Sequence, residues 1–292
     1  MTPISDIAAA GVNSPETGTP EIASRNPGDV PHSLTRLTAM RQRYRRRPVR
    51  VGERLWWVVD TEAPGPVLLL LPGSLGTCEI FYEQFLTLGS SVRLIGVDYP
   101  ETDLSLFSAG LRGLLDHLEL SAPHILGQSL AGYLLQDFGA HHPERIGTLV
   151  LSNTFIDNVD LVTNPAFDPA IVHGLEASAM KRQWLDRIAL GTDPDLKAVQ
   201  YELVEFSQPA EVLKERFKAV ATAVPATTVR VPQSRIVVVD CNDDPLIPLP
   251  SRAKLRDRYP HAAIRTLDRG GHYPHVVNSD AYNRVLTEIL AR

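Results

Sequence analysis

The sequence predicts an α/β domain: a mostly parallel sheet covered on both faces by helices, with a helical insertion after the sixth strand. Three observations carry this. Short apolar runs alternate with helical periodicity from residue 67 onward, the pattern of strands buried on both sides. One run, His124-Ile125-Leu126, leads into Gly127-Gln128-Ser129-Leu130-Ala131-Gly132 and out into the helical Tyr133-Leu134-Leu135-Gln136-Asp137-Phe138. The stretch 157–230 breaks the alternation with helical patterns but no strand, and it is too long for a simple loop.

Residues 49–60, with Leu55-Trp56-Trp57-Val58-Val59, form an early strand or hairpin. Val67-Leu68-Leu69-Leu70-Leu71 is uniformly apolar, as a strand covered on both faces requires. Residues 78–88 follow as a helix and 92–97 as a strand ending at Asp98-Tyr99-Pro100. Over 104–118, Leu111, Leu114, Leu115 and Leu118 recur at helical spacing. Strands at 148–152, 235–240 and 263–267 and a closing helix at 281–290 complete the rhythm. The expected core is therefore 36–156 and 231–292, and the cap 157–230, with helices near 177–190 and 195–223. Residues 1–35, rich in Pro, Ala, Ser, Thr and Gly with little apolar periodicity, are expected to be a disordered tail. The basic cluster Arg41–Arg47 fits a solvated strand edge better than an anion site.

The chain has 292 residues, 43% hydrophobic and 22% charged, with net charge −5. That is long enough for one large core and gives no global attraction to nucleic acid or membrane. No apolar run has transmembrane length, and the N-terminus lacks the basic and apolar regions of a secretory signal. Cys78 and Cys241 make neither a metal-ligand spacing nor a disulfide framework. A cytoplasmic location, no cofactor, no metal and no nucleic-acid partner are expected; a homodimer is allowed.

A serine on a sharp strand-to-helix turn, flanked by small residues, has its hydroxyl pushed out above the sheet beside the first helical amides. Ser129 then needs a base, and the base an orienting acid. Two later segments offer them. In Asp240-Cys241-Asn242-Asp243-Asp244-Pro245-Leu246-Ile247-Pro248, a buried strand emerges into an acidic turn. In Arg269-Gly270-Gly271-His272-Tyr273-Pro274-His275, glycines let a loop carry an imidazole over the sheet edge. His272, directly after the glycines, is favoured over His275. His141 and His142 lie beyond the serine helix and are set aside. Asp240 ends its strand and comes too early. An oxyanion hole needs two backbone N–H donors. Leu130 supplies one, and the loop Pro72-Gly73-Ser74-Leu75-Gly76-Thr77 the other, most naturally Ser74. The loop has no lysine for phosphate cradling.

These four segments, in this order, resemble the α/β-hydrolase superfamily from about Val49 to the C-terminus. Many members place the acid four residues before a proline. That favours Asp244, before Pro248, over its neighbour Asp243; Asp157, after the sixth strand, is the other location the fold allows. A narrower resemblance, to the maspardin-like group, rests on Leu69-Leu70-Leu71-Pro72 with Ser74 and Gly76-Thr77, Tyr99-Pro100, and Leu114-Leu115-Asp116-His117-Leu118. Gly127 to Gly132, Leu151-Ser152-Asn153-Thr154-Phe155 and Gly270-Gly271 continue it. The resemblance implies either of two roles. One is a serine hydrolase of an ester, thioester, lactone or related small acyl substrate, with Ser129, His272 and Asp244 as triad. The other is a non-catalytic binding or adaptor protein, as animal maspardin with its incomplete triad looks to be; retention of His272 and Asp244 favours catalysis. C–C bond hydrolysis or a lyase reaction would use the same triad. The cap is expected to form an amphipathic lid over Ser129, lined from among Phe155, Leu161, Phe167, Ile171, Met180, Trp184 and Ile188, with Phe155 and Trp184 as substrate-contacting candidates.

Overall fold

A computed structural model describes residues 30–291. The expected tail falls almost wholly outside these residues, but its last positions do not. Helix α1, His32–Arg43, begins inside the stretch read as tail and runs through the first arginines of the basic cluster. Of that cluster, Arg41 and Arg43 stand on a helix and not on a strand, whereas Arg46 and Arg47 lie exposed on an outermost strand of the sheet, as expected. Arg41 pairs with Glu79 and Glu202, both at 2.7 Å, and Arg46 with Asp98 at 2.6 Å. Composition had masked the helix, because only Leu37 and Met40 mark its buried face strongly.

The sheet has eight strands in the order β1-β2-β4-β3-β5-β6-β7-β8. Strands β1 (Arg46–Val51) and β2 (Arg54–Asp60) form an antiparallel hairpin, and β2 joins β4 (Arg93–Asp98) antiparallel. From β4 onward all pairings are parallel, through β3 (Val67–Leu71), β5 (His124–Gln128), β6 (Leu149–Ser152), β7 (Ile236–Cys241) and β8 (Ala263–Leu267). Leu69 and Leu71 of β3 face one apolar core and Leu68 and Leu70 the other, which is why the run shows no alternation.

On one face, α1 packs with α2 (Tyr82–Leu88) and the closing helix α11 (Ser279–Leu290). On the other lie α3 (Leu104–His117) and α4 (Leu130–His141). Between β6 and β7 comes the expected helical stretch. It comprises α5 (Pro169–Gly174), α6 (Ala177–Ala189), α7 (Pro194–Glu202) and α8 (Ala210–Ala221). The long helical pattern after residue 195 is divided. A π-turn over Leu203–Ser207 closes α7, and Pro209 caps α8, because proline cannot donate into a continuing helix. Helix α9 (Leu249–Arg258), which the sequence did not suggest, follows β7, and the four-residue α10 (Pro274–Val277) precedes α11. Among the described residues, no helix is long and apolar enough to cross a membrane.

Parallel register decides where chemistry collects. Leu71 pairs with Gly127, Gln128 with Ser152, and Ser152 with Val239. The C-terminal ends of β3, β5, β6 and β7 therefore lie side by side, where sheets of this kind place ligands. The central strand pays for none of this polarity. Leu69→Ala, which empties a fully buried site on β3, should lower unfolding free energy by about 3 kcal/mol in urea titration; a loss below about 1 kcal/mol would contradict the packing described.

Candidate active site

Ser129 stands at the end of β5 with φ 53° and ψ −119°. A non-glycine residue holds such a conformation only when its surroundings impose it, at a cost of about 1–3 kcal/mol. Here they do. The Ser129 N–H donates to Ser152 O (2.9 Å), and its C=O accepts from Tyr133 N (3.1 Å) and Thr154 Oγ1 (2.6 Å). A Cβ on Gly127 would lie 2.6 Å from Gly132 N, and one on Gly132 would lie 2.7 Å from Thr154 Cβ. Those two glycines let strand and helix cross.

Asp244 and His272 meet as a buried pair. His272 Nδ1 lies 3.0 Å from Asp244 Oδ2 and 3.2 Å from Oδ1, a geometry in which Nδ1 carries the proton and Nε2 is left free. Asn153 Nδ2 also donates to Asp244 Oδ2 (2.9 Å), and the amides of Leu246 and Ile247 donate to Oδ1 (2.8 and 3.0 Å). Burial disfavours the carboxylate charge, but the His272 interaction and these donors outweigh it and hold Asp244 below the ordinary carboxylate range. The other acids have different partners. Asp243 accepts from Gly270 N (3.2 Å) and Gly271 N (2.8 Å), so it braces the histidine loop. Asp157 pairs with Lys254 at 3.5 Å, and Asp240 is held bidentately by Arg256.

Ser129 and His272 are joined through Gln128, the last residue of β5. Gln128 Nε2 donates to His272 O (3.1 Å) and Gln128 Oε1 accepts from Gly73 N (3.0 Å). A Cβ on Gly73 would lie 2.7 Å from Ser129 Cβ, so the 72–77 loop rests directly on the serine. Among the described residues, neither the Ser74 nor the Leu130 amide donates to another backbone group outside regular structure. The Ser129 hydroxyl likewise makes no hydrogen bond there, including to His272.

The cap seats on this loop. Gln208 Nε2 donates to Ser74 O (2.8 Å) and Arg216 Nη1 to Gly73 O (3.2 Å), while from the core Tyr99 Oη, just after β4, donates to Pro72 O (2.8 Å). Phe155 is fully buried and stacks on Tyr133 with centroids 5.2 Å apart, one helical turn from Ser129. Trp184 packs against Phe217 (4.7 Å) and lines a cleft of about 30 Å³ inside the cap with Ile171, Met180 and Phe217. None of Ser129, Asp244 and His272 lines that cleft.

Sequence reasoning missed Asn153, Gln128, Gln208 and Arg216. Two carried a signal. Asn153 directly follows a buried strand, has φ 44° and is a residue type that tolerates that region. Arg216 interrupts the apolar stripe Leu213, Phe217 and Val220.

His275, set aside at the sequence level, is fully buried against Phe81 (4.7 Å) with neither ring nitrogen hydrogen-bonded. Burial, with a smaller push from His272, takes its pKa down to about 3. Between that value and the ordinary 6.5 the unfolded chain binds the extra proton, so stability falls as pH drops below about 6.5. His275→Leu should remove this loss and gain on the parent by about 2 kcal/mol between pH 7 and 4.5 in urea titrations. Parallel stability profiles for the two proteins would refute it.

The profile of the alpha/beta hydrolase family matches residues 68–285. Maspardin from Danio rerio is 29% identical over 226 residues, covering 75% of this chain and 71% of that protein. Two solved structures share the fold. A hydrolase from Pseudomonas aeruginosa PA01 has TM-score 0.67 and 21% identity over 85% of this chain and 99% of its own. The enol-lactonase from Burkholderia xenovorans LB400 has TM-score 0.68 and 16% identity over 84% of this chain and 100% of its own. With its sheet order, its elbow and a family match spanning most of its length, the chain belongs to the α/β hydrolase family.

Proposed function

We propose that the protein is a serine hydrolase of small acyl substrates: esters, thioesters or lactones. The observation that carries this is the buried Asp244–His272 pair, 3.0 Å apart, on a loop that Gln128 ties to the nucleophile elbow. An imidazole held by its Nδ1 presents Nε2 as a base. A serine in a strained turn with unclaimed amides beside it suits attack on a carbonyl.

In this reading Ser129 Oγ attacks the acyl carbon while its proton passes to His272 Nε2. The carbonyl oxygen becomes an oxyanion facing the Ser74 and Leu130 amides. Collapse of the tetrahedral adduct expels the leaving group, which takes the proton from His272. Water then loses a proton to His272 and attacks the acyl-enzyme; collapse releases the acid, and His272 returns the proton to Ser129 Oγ. Asp244 keeps the tautomer and steadies the imidazolium. The absence of a Ser129–His272 hydrogen bond is compatible with this, since catalytic hydrogen bonds often tighten only with substrate bound. The enol-lactonase from Burkholderia xenovorans LB400, which shares this fold, supports acyl-oxygen chemistry on such a scaffold. The maspardin similarity supports the other reading, a binding role without turnover.

A fluorophosphonate probe separates the two: labelling of the parent and none of Ser129→Ala is expected, with the variant still folded by circular dichroism. An unlabelled, well-folded parent would leave the binding role.

The acid assignment has its own test. Asp244→Asn favours the wrong tautomer and should lower kcat by roughly 10⁴. Asp243→Asn, which weakens only the brace on Gly270 and Gly271, should cost about tenfold or less, and Asp157→Asn should leave turnover unchanged. Esterase assays on the three purified variants decide it; equal losses at Asp243 and Asp244 would overturn the assignment.

A further inference from the structure

Arg216 sits on the inner face of α8 with 1% exposure. Its Nη1 donates to Gly73 O (3.2 Å), its Nη2 to Tyr99 O (2.5 Å), and its guanidinium lies over the Tyr99 ring, 4.3 Å from the centroid. Its Nε–H has no partner. Among the described residues it is in no salt bridge within 4.0 Å. Asp98, whose carboxylate feels its charge, is paired with Arg46 at 2.6 Å. Gly76, at φ 75°, leaves the space the guanidinium needs, because a Cβ there would lie 2.1 Å from Nη1.

A buried guanidinium without a carboxylate is expensive. Two carbonyls and a ring face offset only part of that. The return lies in what one of those carbonyls belongs to. Gly73 C=O and Ser74 N–H are two ends of one planar peptide group. A cation on the carbonyl oxygen draws electron density off the amide nitrogen and makes the Ser74 N–H a stronger donor, as in any polarised hydrogen-bond chain. The flanking peptides are fixed as well. Gln128 Oε1 takes the Gly73 N–H and Gln208 Nε2 holds the Ser74 C=O. The peptide carrying the candidate oxyanion donor is thus clamped on both sides, with a net positive charge behind it.

We propose that Arg216 is a positioning residue of the oxyanion hole, aligning and polarising the Gly73–Ser74 peptide from the cap. Cap seating and stabilisation of transition-state charge are then one event. The proposal rests on the serine-hydrolase reading and deepens it: binding energy at the cap feeds the charged transition state and not the neutral ground state.

The test uses the full chain and a pair of ligands. An aryl trifluoromethyl ketone adds the Ser129 oxygen to its carbonyl carbon, the serine proton moves to His272, and the adduct oxygen is an anion. The matching methyl ketone binds as a neutral carbonyl. Removing an oxyanion donor outright costs about 10²–10³ in kcat. Arg216 acts one peptide away, so Arg216→Met should weaken trifluoromethyl ketone binding and lower ester kcat by about 10–100-fold. Methyl ketone affinity and KM should move by less than about threefold. Arg216→Lys, whose single ammonium cannot hold both carbonyls in one plane, should lose at least about fivefold for the trifluoromethyl ketone. Lys214→Met, which removes a cation on the same helix that holds Leu175 O within the cap, should match the parent.

Parent-level affinity for the trifluoromethyl ketone in either Arg216 variant overturns the proposal. So does an equal loss for both ketones, which marks a collapsed pocket, and so does failure of both Arg216 variants to fold, which assigns the residue to the fold alone. A parent that is not labelled by fluorophosphonate and does not discriminate the ketones refutes the hydrolase reading itself.

Discussion

The crossing at Ser129 sets the terms for everything around it. Strand β5, the turn and α4 pass so close that Gly127 and Gly132 have no room for a Cβ, and Gly73 of the neighbouring loop rests on the serine's own Cβ. A positive-φ serine survives there because three hydrogen bonds and the parallel register of β5 against β6 leave it no alternative. Strain of this kind fixes direction. It holds the serine beside the unclaimed Ser74 and Leu130 amides, with its side chain at the C-terminal edge of the sheet, where the β6, β7 and β8 loops deliver Asn153, Asp244 and His272.

Those loops are held by groups that do no chemistry themselves. Asp243 takes the amides of the two glycines before His272, Asn153 bridges Asp244 and Gly271 O, and Gln128 reaches from the elbow to both the histidine loop and the 72–77 loop. The electrostatics are sorted in the same way. Asp244 is surrounded by donors and stays charged, while His275, three residues past His272, is sealed among Phe81, Tyr273 and Tyr282 and stays neutral. Two histidines three residues apart thus have opposite surroundings.

Much of this architecture could be read from the chain. Val67–Leu71 announces a doubly covered strand, Gly127 to Gly132 an elbow, and the glycines before His272 a loop able to carry an imidazole. The resemblance to hydrolases that place an acid four residues before a proline pointed to Asp244, which stands 3.0 Å from His272. What could not be read is contact between distant segments. Nothing local to Gln128 says that its two ends meet Gly73 and residue 272, and α9 is too polar for its three buried positions, Ser251, Arg252 and Leu255, to show as a stripe. Helix α1 was hidden because its arginines are matched by acids far away in sequence. The break between α7 and α8, a π-turn over Leu203–Ser207 followed by Pro209 at the cap of α8, leaves the helical periodicity of the sequence almost unbroken.

Helix α1 also touches both parts of the molecule. Ser33 bonds to Asp195 of the cap at 3.0 Å, and Arg41 holds Glu79 of the core and Glu202 of the cap with one guanidinium. Sliding of cap over core therefore has to separate opposite charges that are only partly shielded from water. Ions in solution weaken such pairs over distances of about 8 Å at physiological strength. Concentrated salt therefore loosens the link that α1 makes between core and cap, and dilute buffer tightens it.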